Sequence, residues 1–303
     1  MSPAESVGQP EILVELFEKA ASLKWKVDAI SELKTGEFRE RVQRAKELWV
    51  GYRPEPADAA VWAVDSGWNY RLYSGFYVYA LKAAAVNAGM KISHSVAEVD
   101  MLSGDPYDAM LLPELALKYL AEGYEHEVAL KASDDSDMVL VDGSMIARLE
   151  DVMRREQQRL KIEYMAHLKP VIGAGNIAFV SKYSHDKSLL GGSLGDIYYI
   201  NMASGEVGYT KPFIVTRYGW TFSVFYARLS EDANALHVEV PSAIDESFVQ
   251  RFINALSETA VRGYPYQLIV AHKVANLSND LMEMLCKAAG LTGFQEARGV
   301  LAV

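Results

Sequence analysis

Two short apolar runs in this chain end on an aspartate and break at once on small residues: Val61-Trp62-Ala63-Val64-Asp65-Ser66-Gly67 and Met138-Val139-Leu140-Val141-Asp142-Gly143-Ser144. Each reads as a buried strand that delivers a carboxylate to its own end before a turn. Charge at the rim of a core is tolerated when it is paired, hydrogen-bonded or bound to metal, so two such carboxylates point to a cation. An aspartate before Ser or Gly also caps the turn after a strand, and the repetition of the pattern weighs against that simpler role. His272 follows the run Leu268-Ile269-Val270-Ala271 and occupies, on this reading, the same address at a strand end. Oxygen ligands with one imidazole suit Mn²⁺ or Mg²⁺ better than structural zinc, for which no cysteine-histidine spacing exists. One or two such ions activate water and stabilise the leaving oxygen of a phosphodiester.

A glutamate on the helix between the two aspartates completes the candidate set. Glu127 shares a side with Leu120, Tyr124 and Leu130, which makes it the expected inward residue. Glu125 and Glu122 lie with Lys118 and Ala121 on a more polar side. Tyr264, directly before Pro265, could aim its phenol at a phosphate or a base, or simply pack.

The elements that must hold these groups are legible in outline. A helical period runs from Glu11 to Val50, broken at Thr35-Gly36, and Trp25, Phe38 and Trp49 are apolar residues it offers for packing or docking. Strand patterns follow over Ala59–Val64 and through Tyr70–Tyr79, close enough together for an antiparallel meander. Helices are expected over Pro113–Lys131, Ile146–Met165 and Asp245–Val261, with Asn276 or Ser278 capping a closing helix. Further strands are expected over Met138–Val141, Val171–Val180, Ile197–Asn201, Phe213–Val215, Phe222–Tyr226, Leu236–Val240 and Tyr266–Ala271. The expectation is an α/β fold with a mixed sheet, divided into a helical extension over residues 1–52 and a main domain over 58–303.

Composition sets the outer limits. The chain has 303 residues, half of them hydrophobic, and a formal net charge of −10, which argues against a protein that coats nucleic acid by bulk attraction. No apolar run approaches the roughly 18 residues of a membrane span, and the first residues lack the basic start of a secretory signal, so a cytoplasmic protein is expected. The single cysteine, Cys286, stands at helical spacing with Met282 and Leu285 and reads as core packing rather than a nucleophile.

Taken in order, Val64-Asp65-Ser66-Gly67, Leu140-Val141-Asp142-Gly143-Ser144, Ala178-Phe179-Val180-Ser181-Lys182 and Tyr264-Pro265-Tyr266-Gln267-Leu268-Ile269-Val270-Ala271-His272 resemble the NurA nuclease family from about Ala59 to the C-terminus. The resemblance implies an RNase H-like mixed sheet flanked by helices, and a manganese-dependent nuclease working from 5′ ends on single- and double-stranded DNA, with endonuclease action on single strands. It implies a homodimer that docks on a HerA-type hexameric helicase in DNA end resection and recombinational repair. By the same resemblance Asp65, Asp142, Glu127 and His272 are the metal ligands and Tyr264 an active-site tyrosine, with Glu125 or Glu122 as alternatives to Glu127. Lys182 could contact phosphate and offset charge in the transition state, and Lys187, Arg154 and Arg155 could line the DNA path. Arg154, Arg155, Arg159 and Lys161 also fit a solvated helix face interleaved with Glu156 and Glu163. Readings from other classes are a non-catalytic regulatory subunit of a DNA translocase, and a hydrolase of small phosphoesters.

Overall fold

The apolar run before Asp65 opens a strand much longer than itself. In the computed structural model, which describes residues 10–23, 36–73, 76–102, 113–155 and 158–291, β2 spans Val61–Tyr73. It pairs antiparallel along its length with β3 (Phe76–Val86), which pairs in turn with β4 (Ile92–Leu102). Alternating aromatic and β-branched residues favour this meander. On its other side β2 is joined by two parallel strands, β5 (Met138–Asp142) and then β6 (Ile177–Ser181). The antiparallel strands β10 (Leu236–Val240), β9 (Trp220–Arg228), β7 (Gly208–Thr210) and β1 (Trp49–Gly51) complete the order β1-β7-β9-β10-β6-β5-β2-β3-β4. A tenth strand, β8 (Phe213–Arg217), also pairs with β9.

The helices, in chain order, are α1 (Pro10–Ser22), α2 (Gly36–Leu48), α3 (Pro113–Ser133), α4 (Met145–Arg154), α5 (Gln158–Leu168), α6 (Asp196–Ala203), α7 (Glu246–Leu256), α8 (Tyr266–Ala275) and α9 (Asn279–Ala288). They cover the sheet on both faces, as parallel strands require. On one face Ala63, Leu140, Val180 and Val238 pack with Phe248 and Phe252 of α7 and Leu268 and Ala271 of α8. On the other, Val64, Val141 and Phe179 pack with Val128 of α3, Leu149 of α4 and Tyr164 of α5. Among the described residues no helix is long and apolar enough to cross a membrane.

The mixed sheet flanked by helices agrees with the expected fold class, and β5 and β10 lie where the apolar runs place them. Ser278 caps α9, whose Cys286 is buried beside Met282. Five readings are corrected. Ser66-Gly67 does not end the first strand: pairing with β3 carries β2 on to Tyr73, so Asp65 stands within its strand and only Asp142 at a strand end. Tyr266–Ala271 is helical, starting directly after Pro265, a residue preset for a helix start; a short apolar run alone does not separate a buried helix from a strand. Ile197–Asn201 is also helical, with Tyr199 and Ile200 turned into a small core beneath α2. The single helix expected over Ile146–Met165 is two, because the chain turns extended at Arg155. The strand expected from Val171 begins only at Ile177, after a 3-10 turn at Lys169–Val171 and Gly173 at φ +96°.

In the N-terminal extension, Phe38 packs against Tyr198 and Tyr199, while Trp49 lies in β1 and so enters the main sheet. Trp25 lies outside the described residues. Leu140, fully buried at the sheet centre, reports on the whole assembly: Leu140→Ala should cost about 2–5 kcal/mol in a urea unfolding titration.

Candidate active site

The register of β2 on β5 sets Val64 opposite Val141, so the next residues, Asp65 and Asp142, leave neighbouring parallel strands side by side toward the α8 face. One strand further, β6 ends at Ser181, and Lys182 continues beyond it. The Lys182 ammonium lies 3.9 Å from Asp142 Oδ2 and 3.9 Å above the Tyr264 ring. Tyr264 is buried; its hydroxyl makes no hydrogen bond of normal geometry, and burial, then the charge of Asp142, pushes its pKa up.

Helix α8 brings in the histidine. The His272 Nδ1–H donates to Asp65 Oδ2 at 2.9 Å, and the Ser66 amide donates to Asp65 Oδ1 at 2.8 Å. His272 is otherwise exposed, so it is a surface imidazole anchored at one nitrogen. Gly67 makes the approach feasible. A Cβ at this position would stand 2.1 Å from the Ala275 carbonyl oxygen at the end of α8, a contact only glycine escapes. Burial raises the pKa of Asp65; its bonds to His272 and Ser66 oppose the rise, and the neighbouring Asp142 charge adds to it.

The other sheet face supplies a second carboxylate. The Ser66 hydroxyl donates to Glu125 Oε2 at 2.8 Å, and Arg148 Nη1 donates to Glu125 Oε1 at 2.7 Å. The second Arg148 amine donates to the main-chain carbonyl of Asp142 at 2.6 Å, so one guanidinium fastens α3 to the end of β5. Glu125 is fully buried. Burial pushes its pKa up to about 7, with the Asp65 charge adding and Arg148 opposing. For Arg148, burial alone would lower the pKa, but Glu125 and Glu122 outweigh it and hold the guanidinium above its usual value.

Glu127, the helical glutamate expected from the sequence, is not part of this arrangement. Its carboxylate pairs with Lys131 at 2.7 Å on the surface. The buried stripe of α3 runs through Leu117, Ala121, Glu125, Val128 and Ala132, so Glu127 points to another side. Three basic residues also lie apart from the aspartates. Lys187 donates to the Ser193 carbonyl, Arg154 pairs with Glu150, and Arg155 with Asp151. The two arginines stand at the far end of α4, about 15 Å of helix from its start at the Asp142 turn. Sequence reasoning missed Arg148, which no motif marks, and the role of Gly67, which stood in plain view beside Asp65.

The donors fit a hard divalent cation in kind: two adjacent carboxylates of like charge, one buried and one partly exposed, whose repulsion an ion would relieve, with an exposed imidazole beside them. Among the described residues no three His, Cys, Asp or Glu groups converge as a ready ligand set. His272 holds Asp65 directly, and Glu125 is taken up by Ser66 and Arg148.

Comparison with known proteins adds a family. Residues 59–277 match the NurA domain. The DNA double-strand break repair nuclease NurA of Saccharolobus solfataricus is 22% identical over 328 residues, covering 92% of this chain and 95% of that protein. The crystal structure of the NurA nuclease from Sulfolobus solfataricus superposes with a TM-score of 0.71 at 20% identity, covering 91% of this chain and 96% of that one. A crystal structure of NurA bound to dAMP and manganese gives 0.66 at 11% identity, over 94% and 99% of the two chains.

Two substitutions probe this architecture. Gly67→Ala should push the end of α8 off β2 and break the His272–Asp65 bond, seen as a change in the His272 imidazole resonances by NMR. Arg148→Ala leaves Glu125 buried without its cation and should lower stability by about 3–5 kcal/mol in chemical denaturation.

Proposed function

The chain belongs to the NurA domain family, and on that premise we propose that it is a manganese-dependent DNA nuclease of double-strand break repair. The observation that carries the reading is the pair Asp65 and Asp142, set side by side on adjacent parallel strands with Lys182 and Tyr264 against the second. The strand order β4-β3-β2-β5-β6, an antiparallel meander continued by two strands parallel to β2, supports an RNase H-like core. Asp65 and Asp142 would hold the ion, with His272 and Glu125 as the further ligands; Glu125 takes the place first given to Glu127. One or two Mn²⁺, or Mg²⁺ in their place, would polarise the phosphate and make water a nucleophile at neutral pH.

The chain's own groups supply the rest. The Lys182 ammonium, steadied over the Tyr264 ring, stands where negative charge on a phosphate next to Asp142 would be offset. Asp65 fixes the orientation of the His272 imidazole through Nδ1 and leaves the rest of the ring exposed toward substrate. The fuller reading is a homodimer acting with a HerA-type helicase in the cytoplasm, digesting single- and double-stranded DNA from 5′ ends and cutting within single strands. Lys187, Arg154 and Arg155 serve the fold through their own pairs and enter the DNA path less directly than Lys182.

A time course on end-labelled single- and double-stranded DNA with Mn²⁺, Mg²⁺ or chelator tests this directly. Cleavage should need the metal and be abolished by Asp65→Ala and Asp142→Ala in protein that melts normally. A chain that binds DNA but never cuts it is a regulatory subunit, and the nuclease reading falls. Glu125→Gln should slow cleavage about 10–100-fold, whereas Glu127→Gln should leave the rate unchanged.

A further inference from the structure

A second set of polar groups lies across the sheet from Asp142. Beyond the end of β6, Lys182 turns to the catalytic side and the next residue, Tyr183, turns to the other, where its ring is 86% exposed. Tyr183 edges a cavity of about 590 Å³ between the loop from Tyr183 to Ser188 and the start of α4, within the range of small-ligand pockets. Its back wall is the buried His237 of β10, which lies opposite Ser181 in the sheet.

The chemistry of that wall is open. Neither ring nitrogen of His237 has a hydrogen-bond partner, the nearest carboxylates standing at 3.5 Å (Glu239) and 3.7 Å (Asp186). Asp186 Oδ2 is likewise buried and makes no hydrogen bond of normal geometry, its neighbour being the His237 ring. Glu239 is committed elsewhere, accepting from the Ser144 hydroxyl and the Ile146 amide at the head of α4. The His237 imidazole and the Asp186 carboxylate, 3.7 Å apart, thus line one cavity without a hydrogen bond of normal geometry between them, an arrangement that a polar guest would relieve. An exposed aromatic at the mouth suits a flat guest.

We propose that this cavity receives an unpaired nucleobase of the DNA strand, next to the phosphate that lies at Asp142. The proposal rests on the nuclease reading. Lys182 and Tyr183 are consecutive and turn to opposite sides of the same sheet end, so a strand that passes over this end can set a phosphate at the first and a base at the second. The base stacks on Tyr183, and its polar edge meets His237 and Asp186. A base reaches the cavity only when it is out of its pair, so the strand is single where the enzyme grips it.

The test is a binding measurement in chelator, using a single-stranded oligonucleotide that carries 2-aminopurine at successive positions from its 5′ end. Fluorescence should be quenched at one or two adjacent positions. Tyr183→Phe should keep the quenching; Tyr183→Ala, an exposed change that leaves the fold intact, should lose it and weaken binding about tenfold or more. His237→Gln, checked for folding by circular dichroism, should alter which bases bind best while leaving the stacking signal in place. Quenching that is equal at all positions, or untouched by Tyr183→Ala, overturns the base pocket and leaves metal-dependent cleavage standing. A protein that neither binds the strand nor cuts it overturns the nuclease reading, and the pocket with it.

Discussion

Two like charges side by side at the rim of the core, one buried and one partly exposed, are the constraint around which this molecule is arranged. The β2–β5 register sets Asp65 and Asp142 together; burial of Asp65 disfavours its charge first of all, and the neighbouring Asp142 charge adds to this. Each partner in the neighbourhood is a response. His272 and the Ser66 amide hold Asp65, Lys182 stands by Asp142, and Arg148 neutralises the buried Glu125 behind them. None of these groups lies next to an aspartate in sequence except Ser66. The fold is in this sense a means of surrounding one carboxylate within β2 and another at the end of β5 with cations and donors drawn from two helices, a loop and β2 itself.

How much of this was legible follows from the range of the signals. Strand β5 is a short apolar run closed by turn residues and lies where that local pattern places it, whereas β2 begins at its apolar run but continues through Asp65-Ser66-Gly67 to Tyr73, because its pairing with β3 holds the chain extended past the expected turn. The resemblance to the NurA family likewise rests on short motifs from about Ala59 to the C-terminus, and the family match covers residues 59–277 of that stretch, which include all of the motifs. Choosing between Glu125 and Glu127 was not a local question. Both lie on one helix, and the apolar residues near Glu127 were read as the core side because nothing in the sequence says which of two half-apolar faces meets the sheet. In the structure Ala121, Val128 and Ala132 are buried along α3 and carry Glu125 inward, while Glu127 pairs with Lys131.

The segment before His272 teaches a related lesson. Leu268-Ile269-Val270-Ala271 fits a strand as well as a buried helix, and Pro265 was the feature that could have decided it. The histidine reached Asp65 by a different route from the one the pattern suggested, from a helix laid across the strands rather than from a strand beside them. The neighbourhood was legible before the geometry was. Arg148 was invisible for the opposite reason, since an arginine three residues into a helix carries no mark until its partners on α3 and β5 are known.

Strand β1 has a consequence for the order in which the chain can assemble. Its three residues pair with β7, with Trp49 opposite Thr210, a separation of 161 residues (210 − 49). Closing so wide a loop is entropically late, and during synthesis the partner strand emerges only after most of the chain. The N-terminal helix α2 runs directly into β1 and packs Phe38 on Tyr198 and Tyr199 of α6, so it shares that delay. The segment from α2 to β1 is therefore made well before its partners and is among the last to find its place, and until then its apolar side chains are on offer to other surfaces.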